Sequence, residues 1–501
     1  MDLFSNLALG FGVALTPINL LYAFIGTVVG TLIGVLPGIG PVATIAMLLP
    51  VTYGLPPVTA LIMLAGIYYG ASYGGSTTAI LINLPGEMSS VVTVLDGHQM
   101  AKQGRAGAAL CIAALGSLFA GCVATMVIAA FAPPLTEVAL SFDAAEYFAL
   151  MVLGLVSAVA LAHGSVLKAV LMTLLGLLLG SIGTDVNTGT ARFSFDIPEL
   201  IDGIGFVAMT MGLFAFAEVA VNLEATDRRS LASEHIGGLW IKWAEFKQAF
   251  PAVLRGTAIG SLLGILPGGG ATLSAFASYT VEKKVAKDQT RFGKGAIEGV
   301  AGPESANNAG AQTSFIPMLT LGIPSNAVMA LMVGALIIHN IQPGPEVMTK
   351  NPELFWGLIA SMWIGNVMLV VLNLPLIGIW VKQLTVPYRL LYPLILLACA
   401  IGAYSANNNM FDVWVAMVFG LLGYVFMKLG CEPAPLLLGY ILGPMMEENL
   451  RRALVLSRGD FSVFVTRPAS LTMLLVAVGL LVLVVAPSIR SQRDAVFTED
   501  A

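Results

Sequence analysis

The chain has 501 residues, of which 57% are hydrophobic and only 11% are charged, and its mean hydropathy is +0.87. This composition excludes an ordinary soluble globular protein, in which about a quarter of the residues are charged. It is typical of a polytopic membrane protein, in which the formal net charge of −5 says little about partners.

The N-terminus carries no basic region. The first Lys or Arg is Lys102, so no secretory signal can be recognised before the first apolar segment, and we expect the chain to be inserted rather than exported.

Apolar runs long enough to cross about 30 Å of hydrocarbon follow along the chain. They cover residues 107–135, 144–162, 164–183, 203–222, 325–341, 355–376, 387–404, 410–428, 433–450 and 468–488. Two further spans, 57–84 and 299–323, are interrupted by polar stretches. The sequence therefore predicts an all-α polytopic membrane protein with about 12 transmembrane spans plus two re-entrant hairpins.

Two glycine-rich motifs break apolar segments in the same way, 34-GVLPGIGPVAT-44 and 264-GILPGGGATLS-274. The second lies between two apolar arms, 256–266 and 271–281, of eleven residues each. Eleven helical residues extend about 16 Å, half of the hydrocarbon thickness. We therefore expect two re-entrant hairpins, one near 21–54 and one at 256–281.

Basic residues orient the chain, because cytoplasmic loops collect Lys and Arg. They cluster between Arg228 and Lys294, in the loop 451–467, and at Lys102 with Arg105. All three clusters are cytoplasmic if each span crosses once, although Lys382, Lys428, Arg490 and Arg493 then fall outside. The second hairpin is flanked by basic residues and the first is not, so the two are expected to open to opposite faces, as in inverted repeats.

This reading divides the chain into four parts. Residues 1–222 form the first repeat half, 223–250 a cytoplasmic linker, 251–450 the second half, and 451–501 a cytoplasmic loop, a final span and a tail.

Glycines at a helix break let a ligand approach the main chain, and the free amides of the following half-helix favour an anion. The polar interruptions repeat a Gly-x-x-Thr-(Ser/Thr) pattern, in 74–78 and in 310–314. The candidate substrate-binding residues are Gly38, Gly40, Ser76, Thr77, Thr78, Gly268, Gly270, Thr313 and Ser314. The alternative is that the glycines kink helices or let them pack closely, and that the hydroxyls cap or join helices.

Amide and carboxylate oxygens in the same stretches are candidates for a coupling ion, Na⁺ or H⁺. These residues are Asn83, Glu304, Asn307 and Asn308. Glu304 lies either within the membrane or in a solvated cytoplasmic segment, and only the first position suits an ion site.

The sequence gives little support for metal binding, redox chemistry or ATP hydrolysis. The histidines His98, His163, His235 and His339 are isolated from one another, the four cysteines have no metal or redox spacing, and no Walker A motif is present. We expect no enzyme, no cofactor and no resident metal. The basic run 281–295 is expected to be a solvated connection rather than a nucleic-acid patch. An anion channel and a membrane-embedded enzyme remain the alternatives to a transporter.

Several longer motifs carry a family resemblance over nearly the whole chain. They are 34-GVLPGIGP-41, 66-GIYYGASYGGSTTAILINLPGE-87, 95-LDGHQMAKQGRAG-107, 264-GILPGGGA-271, 293-GKGAIEGVAGPESANNA-309, 321-LGIPSNAVMALMVGAL-336, 402-GAYSANNNMFDVW-414 and 435-PLLLGYILGPMMEENLR-451. Together they resemble the large membrane subunit of tripartite tricarboxylate transporters. The family's glycine signature falls on Gly38, Gly40, Gly268 and Gly270, and its ANNA signature falls on 306–309.

The resemblance implies a multi-pass protein of the bacterial inner membrane and a secondary transporter. It also implies a small four-helix membrane subunit and a periplasmic substrate-binding protein as partners. The implied substrates are small organic acids, tricarboxylates such as citrate or dicarboxylates, taken up by symport with Na⁺ or protons.

Overall fold

The computed structural model describes residues 3–36, 40–162, 165–185, 188–224, 238–266, 270–383 and 388–485. In the first half of the chain the elements are α1 (Leu3–Ala14), α2 (Pro17–Val35), α3 (Pro41–Leu48), α4 (Pro57–Ile82), α5 (Val91–Thr93), α6 (Gln99–Lys102), α7 (Ala106–Leu140), α8 (Ala144–Leu161), α9 (Val166–Gly180), β1 (Gly183–Thr184), β2 (Ala191–Arg192), α10 (Phe206–Thr210) and α11 (Ala217–Glu224). A π-helical segment, Met211–Phe216, joins α10 to α11.

The second half of the described chain is helical throughout. Its elements are α12 (Trp243–Leu263), α13 (Gly270–Val285), α14 (Glu298–Thr313), α15 (Phe315–Leu321), α16 (Ala327–Ile338), α17 (Glu346–Lys350), α18 (Pro352–Asn373), α19 (Ile377–Gln383), α20 (Tyr388–Asn407), α21 (Met410–Lys428), α22 (Pro433–Leu456), α23 (Val463–Thr466) and α24 (Pro468–Val485). Across the described ranges the only sheet is the antiparallel pair β1–β2. The all-α class is confirmed.

Five of the described helices are long and apolar enough to cross a membrane. They are Pro17–Val35, Ala106–Leu140, Phe206–Glu224, Pro352–Asn373 and Met410–Lys428. Further apolar helices are shorter, with 10–17 residues. The total of about 12 spans stays a prediction.

The core of the molecule is formed by α4 in the first half and α14 in the second. Every side chain of α4 from Thr59 to Ile82 is buried, and so is every side chain of α14 from Gly299 to Thr313. Peripheral helices instead expose large apolar side chains, such as Leu167 on α9, Leu394 on α20 and Leu421 on α21. A buried centre with an apolar outer surface is the arrangement expected of a helical bundle in lipid.

Glycines spaced four residues apart bring the helix before each glycine motif close to a core helix. On α2, Gly26, Gly30 and Gly34 lie directly over the backbone of α4. In the second half, Gly256 and Gly260 of α12, and Gly264 directly after it, lie in the same way over α14. Small residues at this spacing allow helix axes to approach closely in a membrane, where tight packing is a main source of stability.

Each predicted hairpin contains two helices, and three of these four helices are longer than eleven residues, whereas α3 has 8. That the pairs are re-entrant stays a prediction. The helices α12 and α13 have 21 and 16 residues, and α2 has 19. The basic residue at 255 does not end a helix, because the Arg255 guanidinium forms an ion pair at 2.6 Å with the buried Glu282 of the neighbouring arm. The hairpin tips, 37–39 and 267–269, lie outside the described residues.

The polar interruptions also differ from the expectation. The segment 73–78 lies inside the continuous helix α4, and 303–313 lies inside α14. The helix α4 ends later, at Asn83, while α14 ends at Thr313 and the following α15 ends at Gly322. Asn83 and Gly322 both adopt left-handed backbone conformations, with φ of 62° and 76°. Glycines alone do not end a helix that is packed on all sides, whereas the prolines at 85 and 324 do stop continuation.

Candidate functional site

A cavity of about 430 Å³ lies where the two hairpins meet. Gly40, which precedes α3, and Gly270, which begins α13, both line it. The first turn of a helix has backbone amides without helical partners and a positive dipole end. Two such helix starts, one from each half, therefore face the same space.

Two matched turns form another part of the wall. After the left-handed residue that ends each helix, the chain passes through a proline into Glu87 or Asn326, which both have extended backbone and begin the next helical turn. Asn326 accepts a hydrogen bond from the Met329 amide at 2.9 Å. The segments 83-NLPGE-87 and 322-GIPSN-326 thus occupy corresponding places in the two halves.

These contacts correct the internal alignment suggested by the hydroxyl pattern. Gly34 lies over Ala71 and Gly264 lies over Gly310, so Gly310 corresponds in packing to Ala71. The Gly-x-x-Thr pattern had instead paired Gly310 with Gly74. The packing therefore shifts the alignment of the two halves by three residues from the one that the hydroxyl pattern suggested. The shifted alignment also pairs Asn83 with Gly322.

Glu218 is one of the residues at the cavity that sequence reasoning missed. It lies on α11, and its Oε1 accepts a hydrogen bond from the Gly40 amide at 3.1 Å. A side-chain carboxylate therefore occupies the position that an anionic ligand of this helix start would take. A usable signal existed, because Glu218 is the only charged residue in the apolar run 203–222.

The ionisable side chains of the cavity wall are mostly carboxyl groups. Glu87, Glu218 and Glu432 line it, and no Lys or Arg is present among its described lining residues. Apolar groups including Tyr68 and Phe214 complete the wall. An anion in this cavity must be neutralised by backbone amides, by protonation of the carboxyl groups or by cations that enter with it.

The predicted substrate-binding residues do not all reach this cavity. Gly40 and Gly270 line it, while Gly38 and Gly268 lie outside the described residues. The five predicted hydroxyl residues are buried elsewhere, within or at the end of α4 and α14. They are Ser76, Thr77, Thr78, Thr313 and Ser314. That these hydroxyls contact substrate stays a prediction.

Most of these hydroxyls bond to nearby main chain. Thr78 donates to the Gly74 carbonyl at 3.2 Å, Thr313 to Ala309 at 3.0 Å and Ser314 to Ala311 at 2.6 Å. Bonds of this kind satisfy a hydroxyl inside a continuous helix. They also explain why the polar residues do not break the helices that contain them.

Glu304 is buried between the halves, with 1% of its surface exposed. The alternative of a solvated loop carboxylate is therefore wrong. Its Oε2 accepts a hydrogen bond from Ser76 on α4 at 2.6 Å, and its Oε1 accepts one from Thr93 on α5. Glu304 thus connects the second-half core helix to the first half.

The other predicted ion ligands have different surroundings. Asn307 and Asn308 are buried in the same helix as Glu304, and the Asn308 amide donates to Asn307 Oδ1 at 2.5 Å and to Ser117 at 2.7 Å. Asn83 is exposed at the end of α4. A role for these asparagines in ion coupling stays a prediction.

The fold and this cavity define the class: an all-α membrane protein with a cavity of solute size where two helix pairs meet. The chain matches the tripartite tricarboxylate transporter TctA family over residues 20–438, and it belongs to that family.

Two similar proteins come from Agrobacterium vitis. One is an uncharacterized 52.8 kDa protein of the TAR-I ttuC' 3' region, 60% identical over 500 residues and matched over the full length of both chains. The other is an uncharacterized protein of the TAR-II ttuC' 3' region, 64% identical over 241 residues, which are 48% of this chain and all of that one. No solved structure matches the chain.

Proposed function

We propose that this protein is the solute-translocating membrane subunit of a secondary transporter that imports small organic carboxylates by cation-coupled alternating access. The observation that carries the proposal is the shared cavity of about 430 Å³, into which one helix start from each half opens. A cavity of this size suits a di- or tricarboxylate. Family membership supports the tricarboxylate class.

Cation coupling follows from charge balance. A divalent or trivalent anion must enter a wall that carries Glu87, Glu218 and Glu432 and no described basic residue. The helix start at Gly270 offsets part of this charge, the Gly40 amide already donates to Glu218, and co-bound Na⁺ or protons supply the rest.

The halves work as inverted repeats in this proposal. The support is the set of matched features: the spaced glycines over α4 and α14, the left-handed residues 83 and 322, and the helix starts at 40 and 270. Movement of one half against the other would expose the cavity to each side in turn.

A test of this arrangement uses single cysteines at Gly54 and Lys284, both exposed near the open end of a hairpin. In a background without the native cysteines, we expect an impermeant maleimide to label position 54 from the periplasm and position 284 from the cytoplasm. Labelling of both positions from one side would reject the inverted arrangement and leave the transport function untouched.

The partners in this proposal are a small four-helix membrane subunit and a periplasmic substrate-binding protein, in the bacterial inner membrane. Membership of a tripartite family supports the need for partner subunits.

Deleting the binding protein tests this dependence. We expect high-affinity uptake of the carboxylate by cells to be lost, because the cavity itself must accept a dilute anion against its own carboxylates. Re-supplying the binding protein should restore uptake, which controls for damage to the membrane subunits. Undiminished uptake at low solute concentration without the binding protein would contradict the proposal.

A further inference from the structure

A second and much smaller cavity lies at the boundary between the two halves. Its volume is about 20 Å³, enough for one water molecule or one dehydrated monovalent ion. Its polar lining comes from Tyr73, Ser76 and Thr77 on α4, Glu304 on α14 and Asn373 on α18. Apolar side chains, several of them from α7, close the remaining wall.

Two oxygen atoms in this wall have no hydrogen-bond partner, the Tyr73 hydroxyl and Asn373 Oδ1. Both side chains are almost fully buried, with 4% and 5% of their surfaces exposed. The orientation of the Asn373 amide is fixed, because its Nδ2 donates to the Leu369 carbonyl at 2.9 Å. A buried acceptor without a donor costs about 1–3 kcal/mol of folding free energy. A ligand bound to these two oxygens would remove that cost.

The Glu304 carboxyl group lies beside the same space, where its ionised form carries one negative charge. Ser76 and Thr93 each donate a hydrogen bond to it, but no Lys, Arg or His is among the described residues that line the cavity. A single buried carboxylate without a counter-charge is costly in an apolar interior. One bound positive charge would remove this cost.

We propose that the small cavity is a binding site for one dehydrated Na⁺, ligated by Glu304, Asn373 Oδ1, the Tyr73 hydroxyl and the hydroxyl oxygens of Ser76 and Thr77. Hard cations prefer such all-oxygen ligand sets. A divalent ion would leave a net positive charge beside a single carboxylate, whereas Na⁺ makes the site neutral. The cavity is too small for an ion that keeps its hydration shell.

The position of this site explains how an ion would act on the large cavity. Its ligands join α4 of the first half to α14 and α18 of the second. The chain after α4 forms the cavity wall at Glu87, and the chain after α14 and α15 forms it at Asn326. A bound ion therefore holds together the two core helices whose ends shape the substrate cavity. This coupling role rests on the proposed transport function, whereas ion binding does not.

The test measures ion binding by the purified full chain in detergent, without substrate. We expect the midpoint of thermal unfolding to rise with NaCl and to saturate, with no such rise in choline chloride, because a ligand that binds only the native state stabilises it. Asn373→Ala and Tyr73→Phe should each raise the Na⁺ concentration for half-maximal shift, by about tenfold for the loss of one ligand worth about 1.4 kcal/mol.

The chain offers a matched control for each variant. Asn366 is on the same helix as Asn373 and also has a fully buried amide without partners, and Tyr69 has a buried hydroxyl without a partner one turn before Tyr73. Neither lines the small cavity. Asn366→Ala and Tyr69→Phe should leave the Na⁺ dependence unchanged.

Three outcomes would overturn the assignment. The first is an equal unfolding midpoint in sodium and choline for the unaltered protein, and the second is a Na⁺ response that both cavity variants retain. The third is a stabilisation that depends on pH alone, which would mean that the cavity binds a proton instead of Na⁺. A Na⁺ response lost only in the cavity variants would confirm the site even if reconstituted protein transported no carboxylate. Such a result would reject the proposed function separately.

Discussion

Replacing Gly270 by Val is expected to abolish carboxylate uptake while the protein still inserts in the membrane. Gly270 begins α13 with φ of +50°, a conformation that costs a β-branched residue about 1–3 kcal/mol. A side chain there would also stand at the wall of the large cavity, beside the Asn326 amide, whose Nδ2 has no partner among the described residues. A loss of about 2.7 kcal/mol in ligand binding corresponds to about 100-fold in affinity.

Gly104→Val is the control for backbone strain. Gly104 has φ of +75° and nothing within 4 Å of the position that a Cβ would take. Valine at this position therefore strains the backbone but does not affect the large cavity. Uptake is measured in cells and normalised to the amount of each variant in the membrane. Equal losses in the two variants would mean that strain alone explains the effect and that the Gly270 amide is not part of a ligand site.

Glu218→Gln is expected to tighten substrate binding. The Gln side chain keeps an oxygen that can accept from the Gly40 amide, which Glu218 contacts at 3.1 Å, but it removes one negative charge from the cavity wall. Two unit charges about 6 Å apart interact by roughly 3 kcal/mol at an effective dielectric constant of about 20. We therefore expect KM for a dicarboxylate to fall by about tenfold or more at alkaline pH, where the Glu218 carboxylate is ionised.

Glu224→Gln is the matched control on the same helix. Glu224 is exposed and pairs with Lys428 and Tyr424 rather than lining the cavity, so its replacement should leave KM unchanged. If KM is the same in the unaltered protein and in both variants, the substrate does not bind close enough to Glu218 to feel its charge. Such a result would remove the large cavity from the transport path.

The parts of the fold that depend on local signals could be predicted from the sequence. Proline combined with clustered glycine breaks the helix at both glycine motifs, so the helix starts at Gly40 and Gly270 could be predicted, and both line the same cavity. The hydrophobic composition alone gave the all-α membrane class.

The helix ends were harder to place, because burial overrides local polarity. The stretch 73–78 is polar and glycine-rich, yet it stays helical because every side chain of α4 around it is packed and the hydroxyls of Ser76, Thr77 and Thr78 each find a backbone acceptor. The true end, at Asn83, depends on the proline at 85 and a left-handed residue.

Contacts between distant segments could not be predicted from the sequence. Glu218 reaches Gly40 across 178 positions, and Glu304 reaches Ser76 across 228. Asn373 was missed for the same reason: nothing in its own neighbourhood indicates that it meets Tyr73 and Glu304 at one small cavity. Only the rarity of acidic residues in apolar runs pointed to such positions.

The central claim is that the chain carries out cation-coupled carboxylate transport, and its most direct test is uptake into proteoliposomes. The reconstituted membrane subunits are supplied with liganded binding protein, and labelled di- and tricarboxylates are followed across a matrix of imposed Na⁺ and pH gradients. We expect saturable accumulation above the external concentration that requires an inward cation gradient and stops when an ionophore collapses it. Solute flux that never saturates and is accompanied by ionic conductance would instead identify a channel, and would contradict this account.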